Sequence, residues 1–222
     1  MKPNSRNQIL DRLRQGQKSI PDTGQLADYR PMVPQEDLSA AELQARFVQE
    51  AQTAGCTVYQ VSSSTQVVTT ILSLIAEDKA IVSWDLSNIP VSGLTEAFND
   101  AGISRSRNNA SARVGLTGAD AGLAATGSLV LQSGPGRYRA ASLLPPVHIA
   151  VLAAGQIVPD LESWWAEQEA AGLDAVRRHS NIVIVTGPSR TADIAMQLVM
   201  GMHGPRELHL ILIDEQRSTN QN

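Results

Sequence analysis

Short apolar runs of strand length alternate with segments of helical periodicity along most of this chain. The predicted strands span residues 57–61, 80–84, 114–117, 128–131, 147–152, 182–185 and 208–213. The predicted helices span residues 39–54, 65–77, 90–101, 161–171, 173–179 and 191–202. Because parallel strands need helical crossovers between them, this alternation predicts an α/β fold with a mostly parallel, Rossmann-like sheet and helices on both faces. The short connections between the third, fourth and fifth strands predict a local hairpin or an irregular region.

The first 38 residues differ from the rest of the chain. Ser5–Gln15 has the apolar spacing of a short amphipathic helix, and residues 20–38 contain three prolines and little periodicity, which is typical of an extended arm. Ser39-Ala-Ala-Glu42 matches the capping box that begins many helices. The sequence therefore predicts an N-terminal helix and arm over residues 1–38, an α/β domain over 39–214 and a disordered polar tail over 215–222.

Composition limits the classes of function. An apolar content of 42% is enough for the core of one α/β domain. The net charge of −4 and the 4% aromatic content argue against nucleic-acid binding, and no apolar stretch is long enough for a membrane span. The single cysteine, Cys56, cannot hold an iron–sulfur cluster alone, and we expect it to be buried and unreactive in a cytoplasmic protein. The histidines are scattered, so no metal site is predicted.

One candidate ligand loop follows the predicted strand 182–185. The four apolar residues of that strand indicate full burial, and Ile194, Leu198 and Met202 recur at helical spacing after the loop. A strand, a polar loop and a helix N-terminus together form a place where open α/β sheets bind anions. The candidate ligand-binding residues are Thr186, Gly187, Ser189, Arg190, Thr191 and Asp193. The alternative is a simple chain reversal, since the Asp193 carboxylate would complement the helix dipole and repel an anion.

The same predicted helix separates two polar residues. Ser189 would precede its N-terminus and His203 would lie near its C-terminus. Four helical turns amount to roughly 18 Å. We therefore expect Ser189 and His203 to belong to different sites, with His203 bonding the last carbonyls of the helix.

A second candidate loop spans residues 117–128. Asp120 directly follows a strand, where a carboxylate can act as a base or accept hydrogen bonds, so it is the candidate catalytic residue. The candidate ligand-binding residues are Gly118, Asp120, Thr126, Gly127 and Ser128. The alternative is turn chemistry, and the spacing matches neither the dinucleotide fingerprint nor a P-loop. Arg137, in the next turn, could reach a carboxylate or a phosphate, or be a solvated charge.

Several short motifs occur in a fixed order along the predicted domain. They are VGLTGAD (114–120), ATGSLVL (125–131), SLLPPVHI (142–149), IVP (157–159), TGPSRTADI (186–194) and GPREL (204–208). Together they resemble the lactate utilization protein C family, the single-domain members of the LUD-domain group. The resemblance implies a fold like that of the sugar-phosphate isomerases and CoA-transferases. It also implies a role in oxidising L-lactate to pyruvate beside two partner proteins that carry iron–sulfur clusters, with no cofactor in this chain.

The resemblance also points to particular residues. The family motif positions are Gly118, Asp120, Thr126, Gly127, Ser189, Thr191 and Asp193. Members of the family usually have a glutamate where this chain has Ala125, and another where it has Ala195. Both replacements remove a carboxylate from the expected cleft, which affects activity if those glutamates bind ligand or transfer protons.

Three hypotheses remain open from the sequence. The chain could be an accessory subunit of a lactate-oxidising complex, an enzyme acting on a small anionic, phosphorylated or CoA-linked substrate, or a binding module for such a ligand. The second and third require the loops 117–128 and 186–191 to meet in one cleft at the strand ends. A homo-oligomer is compatible with each of them.

Overall fold

The structure is a computed structural model that describes residues 5–17, 38–192 and 198–214. The chain divides into two units, Met1–Met32 and Val33–Asn222. In the first unit, helix α1 spans Ser5–Gln17, two residues longer than predicted. The predicted arm, apart from residue 38, and the predicted tail lie outside the described residues. The boundaries proposed for the domain therefore stay a prediction.

Strands and helices of the second unit are numbered along the chain. The strands are β1 (Thr57–Val61), β2 (Ala80–Ser83), β3 (Ser104–Ser106), β4 (Val114–Gly118), β5 (Ala121–Leu123), β6 (Ser128–Ser133), β7 (Val147–Ala153), β8 (Ile157–Val158), β9 (Asn181–Val185), β10 (Arg190–Ala192), β11 (Leu198–Met200) and β12 (Glu207–Ile213). The helices are α2 (Ala40–Thr53), α3 (Ser64–Ile75), α4 (Leu94–Asp100), α5 (Ala140–Leu143), α6 (Leu161–Ala170) and α7 (Asp174–Arg178).

Six strands form the central sheet, in the order β1-β12-β7-β4-β2-β3, and every neighbouring pair is parallel. All residues of β4 are buried, and β7 is buried from Val147 to Leu152. Continuous burial of this kind is expected where both faces of a parallel sheet are covered. The predicted α/β class, with a mostly parallel central sheet and helices, is confirmed.

Helix α2 begins as the sequence predicts. The backbone N–H of Ser39 donates to Glu42 Oε2 at 2.8 Å, and Ser39 Oγ accepts from the N–H of Glu42 at 3.4 Å. These bonds satisfy amide groups that have no partner within the helix. Phe47 and Ala51, both expected to face inward, are fully buried in the main core. The capping box therefore fixes where the helix that covers one end of the sheet begins.

A second sheet has the order β8-β5-β6-β9. Strands β5 and β6 are antiparallel, which confirms the predicted hairpin, and β9 is antiparallel to β6. The prediction that residues 182–185 form a fully buried strand is wrong. Strand β9 lies at the edge of this second sheet, and the Ile184 side chain is 44% exposed. Apolar content alone did not distinguish a buried central strand from an edge strand.

The predicted helix 191–202 is also wrong. The chain forms an antiparallel pair there, with Thr191 opposite Val199. The loop is held by the Ser189 N–H, which donates to Pro205 O at 2.8 Å, and by the Gly201 N–H, which donates to Ser189 O at 2.8 Å. Val199 and Met202 are exposed, so the helical spacing of apolar residues did not indicate a buried face. Asp193 and Ala195 lie outside the described residues.

Smaller corrections concern the other predicted elements. The helix predicted from residue 90 begins only at Leu94, after Gly93 with a φ of 82°. The short strands β3, β5 and β8 were not predicted. Among the two neighbouring tryptophans of α6, Trp164 is buried and Trp165 is 41% exposed, as their adjacent positions predict.

His148 is a fully buried polar side chain in the middle of the central sheet. Its Nε2 lies 2.9 Å from Thr117 Oγ1 on the neighbouring strand β4, and its Nδ1 has no partner among the described residues. Burial lowers the pKa of His148 to about 4, because the charged imidazolium would lose its hydration. The folded protein therefore holds this imidazole neutral at physiological pH.

This histidine predicts a pH dependence of stability. The unfolded chain binds a proton at His148 near pH 6.5 and the folded chain does so only near pH 4, so stability falls as the pH drops through that window. The expected loss is about 3 kcal/mol. A double variant, Thr117→Val with His148→Leu, should lose about that much less free energy of unfolding between pH 7 and pH 4 in urea titrations. Equal pH dependence of the two proteins would contradict this account.

Candidate functional site

Asp120 lies where the chain leaves β4 at the carboxyl edge of the central sheet. Its Oδ1 forms an ion pair with Arg137 Nη1, and its Oδ2 accepts from the backbone N–H of Gln132 at 2.7 Å. The side chains of Asp120 and Arg137 are only 16% and 25% exposed. Charge-assisted bonds in such a partly desolvated place are stronger than those on an open surface. The carboxylate is thus held at both oxygens.

Arg137 is fixed by further contacts. Its guanidinium carbon lies 5.3 Å from the centre of the Trp84 ring, and its Nε donates to Asn88 Oδ1 at 3.4 Å. Gly134 and Arg137 exchange backbone hydrogen bonds of 3.1 and 3.0 Å, which closes the turn between them. The sequence left open whether Arg137 is a solvated charge or an anion-binding group. In the structure it is a stacked, paired cation at the edge of the sheet.

The same edge carries residues that the sequence analysis missed. Asp85 follows β2 as Asp120 follows β4, and these two strands are neighbours. The Tyr138 hydroxyl donates to Asp85 Oδ1 at 3.4 Å, and the Asp85 N–H donates to Gly136 O at 2.8 Å. A carboxylate directly after a buried strand was the signal that identified Asp120. The same signal, applied to Trp84-Asp85, would have found this second acidic residue.

The arrangement restricts the chemistry of this edge. Asp120 already accepts from two donors, so it is better suited to orient Arg137 than to remove a proton from a substrate. The Arg137 Nη2 bonds no protein oxygen among the described residues, and it can donate to a ligand.

The described residues contain no group of three or more His, Cys, Asp or Glu side chains placed to bind a metal. No helix in the described part of the chain is long and apolar enough to cross a membrane.

Thr126, Ser128 and Thr186 form a separate cluster of hydroxyl groups. Ser128 Oγ lies 2.7 Å from both Thr126 Oγ1 and Thr186 Oγ1. Ser128 is buried and the two threonines are exposed. The structure therefore brings together candidates from both predicted loops. Asp120 bonds β6 at Gln132 and Val130 instead, so the two groups are several residues apart along that strand.

Three candidate glycines have packing roles. A Cβ on Gly118 would lie 2.8 Å from Asn88 O, and one on Gly187 would lie 2.3 Å from Ala54 O. Gly127, with a φ of 62°, would place a Cβ 2.0 Å from the backbone N of Ala51 in helix α2. Each glycine thus permits a close approach of two backbone segments. The sequence predicts these glycines only as candidate ligand-binding residues, and the structure shows which backbone segments approach them.

Ser189 lies at the opposite edge of the central sheet from Asp120. It bonds Pro205, and the neighbouring Arg206 N–H donates to Pro146 O at 2.7 Å, where β12 and β7 begin. Strands β7 and β4 are parallel, and Val147 to Val151 of β7 lie beside Val114 to Gly118 of β4. This paired length, which separates the two edges of the sheet, is roughly 13 Å. The loops 117–128 and 186–191 therefore do not enclose Asp120 and Ser189 in one cleft.

The predicted separation of Ser189 and His203 is wrong. The His203 N–H donates to Ser189 Oγ at 3.4 Å, because the antiparallel pairing of β10 with β11 brings the two residues together. Arg190 extends back over Gly55 at the end of α2.

Cys56, the residue after Gly55, is buried, as predicted. Burial raises the pKa of its thiol to about 11, so the thiol stays protonated at neutral pH. Ala125 is half-buried and donates its N–H to Pro159 O at 2.8 Å.

The fold and this edge define an α/β protein with a charged, partly buried site at the ends of parallel strands. The model of the LUD domain family matches residues 44–213. The chain belongs to the LUD domain family.

Curated relatives agree with this assignment. The protein named lactate utilization protein C in Halalkalibacterium halodurans is 38% identical over 104 residues, which cover 47% of this chain and 45% of that protein. The protein of the same name in a Geobacillus species is 33% identical over 155 residues, which cover 61% of this chain and 62% of that protein. The chain thus spans about half to three fifths of the length of these relatives.

A solved structure supports the fold. The crystal structure of a DUF162 family protein from Deinococcus radiodurans matches with a TM-score of 0.56 and 21% identity, over 79% of this chain and 99% of that one. At this identity the likeness concerns the fold alone. A fold like that of the CoA-transferases stays a prediction.

The Asp120–Arg137 pair should contribute measurably to stability. In a double-mutant cycle with Asp120→Asn and Arg137→Gln, we expect a coupling energy of about 2 kcal/mol, because both charges are largely buried and hydrogen-bonded. The pair of Asp78 and Arg113, 2.6 Å apart with side chains 30% and 43% exposed, is the more solvated control and should couple by less than about 1 kcal/mol. Equal coupling in the two cycles, measured by urea denaturation, would contradict the proposed burial effect.

Gly127 should tolerate substitution much less than a glycine of similar backbone conformation. Gly102 has a φ of 66°, and a Cβ added to it would meet no atom within 4 Å. Gly102→Ala should cost about 1 kcal/mol of backbone strain, whereas Gly127→Ala should cost at least about 3 kcal/mol because it also collides with α2. Thermal denaturation of both variants tests this, and similar melting temperatures would show that Gly127 does not pack as described.

Proposed function

We propose that this chain is a component of an L-lactate utilization system and supports oxidation of L-lactate to pyruvate together with iron–sulfur partner proteins. The observation that carries the proposal is the LUD-domain match over residues 44–213, together with relatives named lactate utilization protein C. The location we expect is the cytoplasm. Self-association is compatible with the proposal and forms no part of it.

Electron transfer is assigned to the partners in this proposal. An iron–sulfur cluster needs several thiolates, and this chain has one cysteine, which is buried and protonated at neutral pH. In this proposal the chain acts as a subunit without its own redox cofactor. Its contribution would be to bind partner proteins or a substrate.

A second candidate function is binding or conversion of a small anionic, phosphorylated or CoA-linked ligand at the carboxyl edge. It is favoured by the position of Arg137, whose Nη2 bonds no protein oxygen among the described residues and lies at the strand ends where open α/β sheets bind ligands. Two carboxylates, those of Asp85 and Asp120, lie at the same edge. A ligand there would pair with the guanidinium and present a neutral or donor group to Asp85.

Deletion of the gene tests the main proposal. The deletion strain should fail to grow on L-lactate and grow normally on glucose, and the wild-type chain should restore growth on L-lactate. Undiminished growth of the deletion strain on L-lactate as sole carbon source would refute the proposal.

The second candidate is tested in the same strain with Arg137→Gln, provided that the purified variant is folded. Failure of this variant to restore growth would favour a ligand site at Arg137. Full restoration would limit the chain to a role that does not use this edge. Arg105→Gln, on the exposed strand β3, is the matched control and should restore growth.

A further inference from the structure

A groove of about 630 Å³ lies at the amino edge of the central sheet, on the opposite side from Asp120. Its apolar walls come from three different parts of the chain. They are Leu143, Ile184, Pro188 and Pro205. Ile184 keeps 44% of its surface exposed, a large value for isoleucine in a strand. A groove of this volume is within the usual range for small-molecule sites.

Two polar side chains of the groove, those of Ser189 and Arg190, can donate to an anion. Ser189, Arg190 and His203 line the groove, and its lining includes no aspartate or glutamate among the described residues. Ser189 Oγ accepts from the His203 N–H, so its own hydroxyl hydrogen is free to be donated. Within the described part of the chain, Arg190 has no carboxylate at salt-bridge distance.

Arg190 extends towards the end of helix α2. Its Nη2 occupies the space beside Gly55 in which a Cβ would lie. Gly55 follows the C-terminal end of α2, where the helix dipole attracts a cation. The guanidinium therefore lies where the dipole of this helix favours a positive charge.

We propose that this groove binds a small organic carboxylate with an apolar body. The carboxylate would pair with the Arg190 guanidinium and accept from the Ser189 hydroxyl. The apolar body would lie against Ile184, Leu143 and Pro205 and cover surface that is otherwise exposed. This site is independent of the carboxyl edge, because the two lie at opposite ends of the parallel strands.

Titration with sodium octanoate, followed by the backbone amide signals of the full chain, tests the proposal. Octanoate should shift the amides of Gly187, Ser189 and Arg190 saturably, with a dissociation constant on the order of 1 mM or lower. 1-Octanol, which lacks the charge, and L-lactate, which lacks the apolar body, should each bind at least about fivefold more weakly. Equal binding of octanol or tighter binding of L-lactate would overturn the proposal, as would the absence of saturable shifts.

Two variants separate the charge from the apolar wall. Arg190→Gln should weaken octanoate binding about tenfold, and the matched control Arg105→Gln should leave it unchanged. Ile184→Thr keeps a residue that suits a strand and should weaken octanoate binding while leaving the melting temperature within a few degrees. Wild-type affinity in both groove variants would place the ligand elsewhere and refute the site.

Discussion

The ion pair between Asp120 and Arg137 connects the two sheets of this protein. Asp120 lies two residues beyond the end of β4 in the parallel sheet, and its carboxylate accepts from the backbone of β6 in the second sheet. Arg137, held against Trp84 at the end of β2, completes the connection. Because all these groups are at the carboxyl edge, this contact fixes the geometry of the surface at which such sheets bind ligands. The opposite edge, with Ser189 and Arg190, is shaped separately by α2 and the β10–β11 hairpin.

Local signals in the sequence predicted the parts of the fold that depend on local physics. The capping box at Ser39 and the alternation of strands and helices both follow from contacts within a few residues. The predictions for residues 182–185 and 191–202 are wrong because they depend on distant partners. An apolar strand becomes central or peripheral according to its neighbours, and β9 has only β6 beside it in its sheet. The apolar spacing after Thr191 resembles a helix, but bonds from Ser189 to Pro205 and Gly201 bring the chain back as a hairpin.

In the candidate site, too, the sequence identified what depends on local contacts and missed what depends on distant partners. Asp120 was identifiable because a carboxylate directly follows a buried strand, but its partner Arg137 is 17 residues further on and its role was left open. The glycines were candidate ligand-binding residues, but in the structure they permit close packing against α2 and the turn around Asn88, which come from other parts of the chain. Ser128 and Thr186 are 58 residues apart and meet only because β6 and β9 pair. Pairing between strands distant in sequence is the information that periodicity does not contain.

In the proposed function, this LUD-domain chain takes part in lactate oxidation as a subunit whose electron carriers are in its partners. The most direct measurement is a gentle affinity purification of the tagged chain from its own organism grown on L-lactate, with mass spectrometry and iron analysis of the eluate. We expect cysteine-rich iron–sulfur proteins to be recovered in near-stoichiometric amounts, with iron present in proportion to them. Recovery of the chain alone and free of iron, from cells that are oxidising L-lactate, would contradict the proposed function.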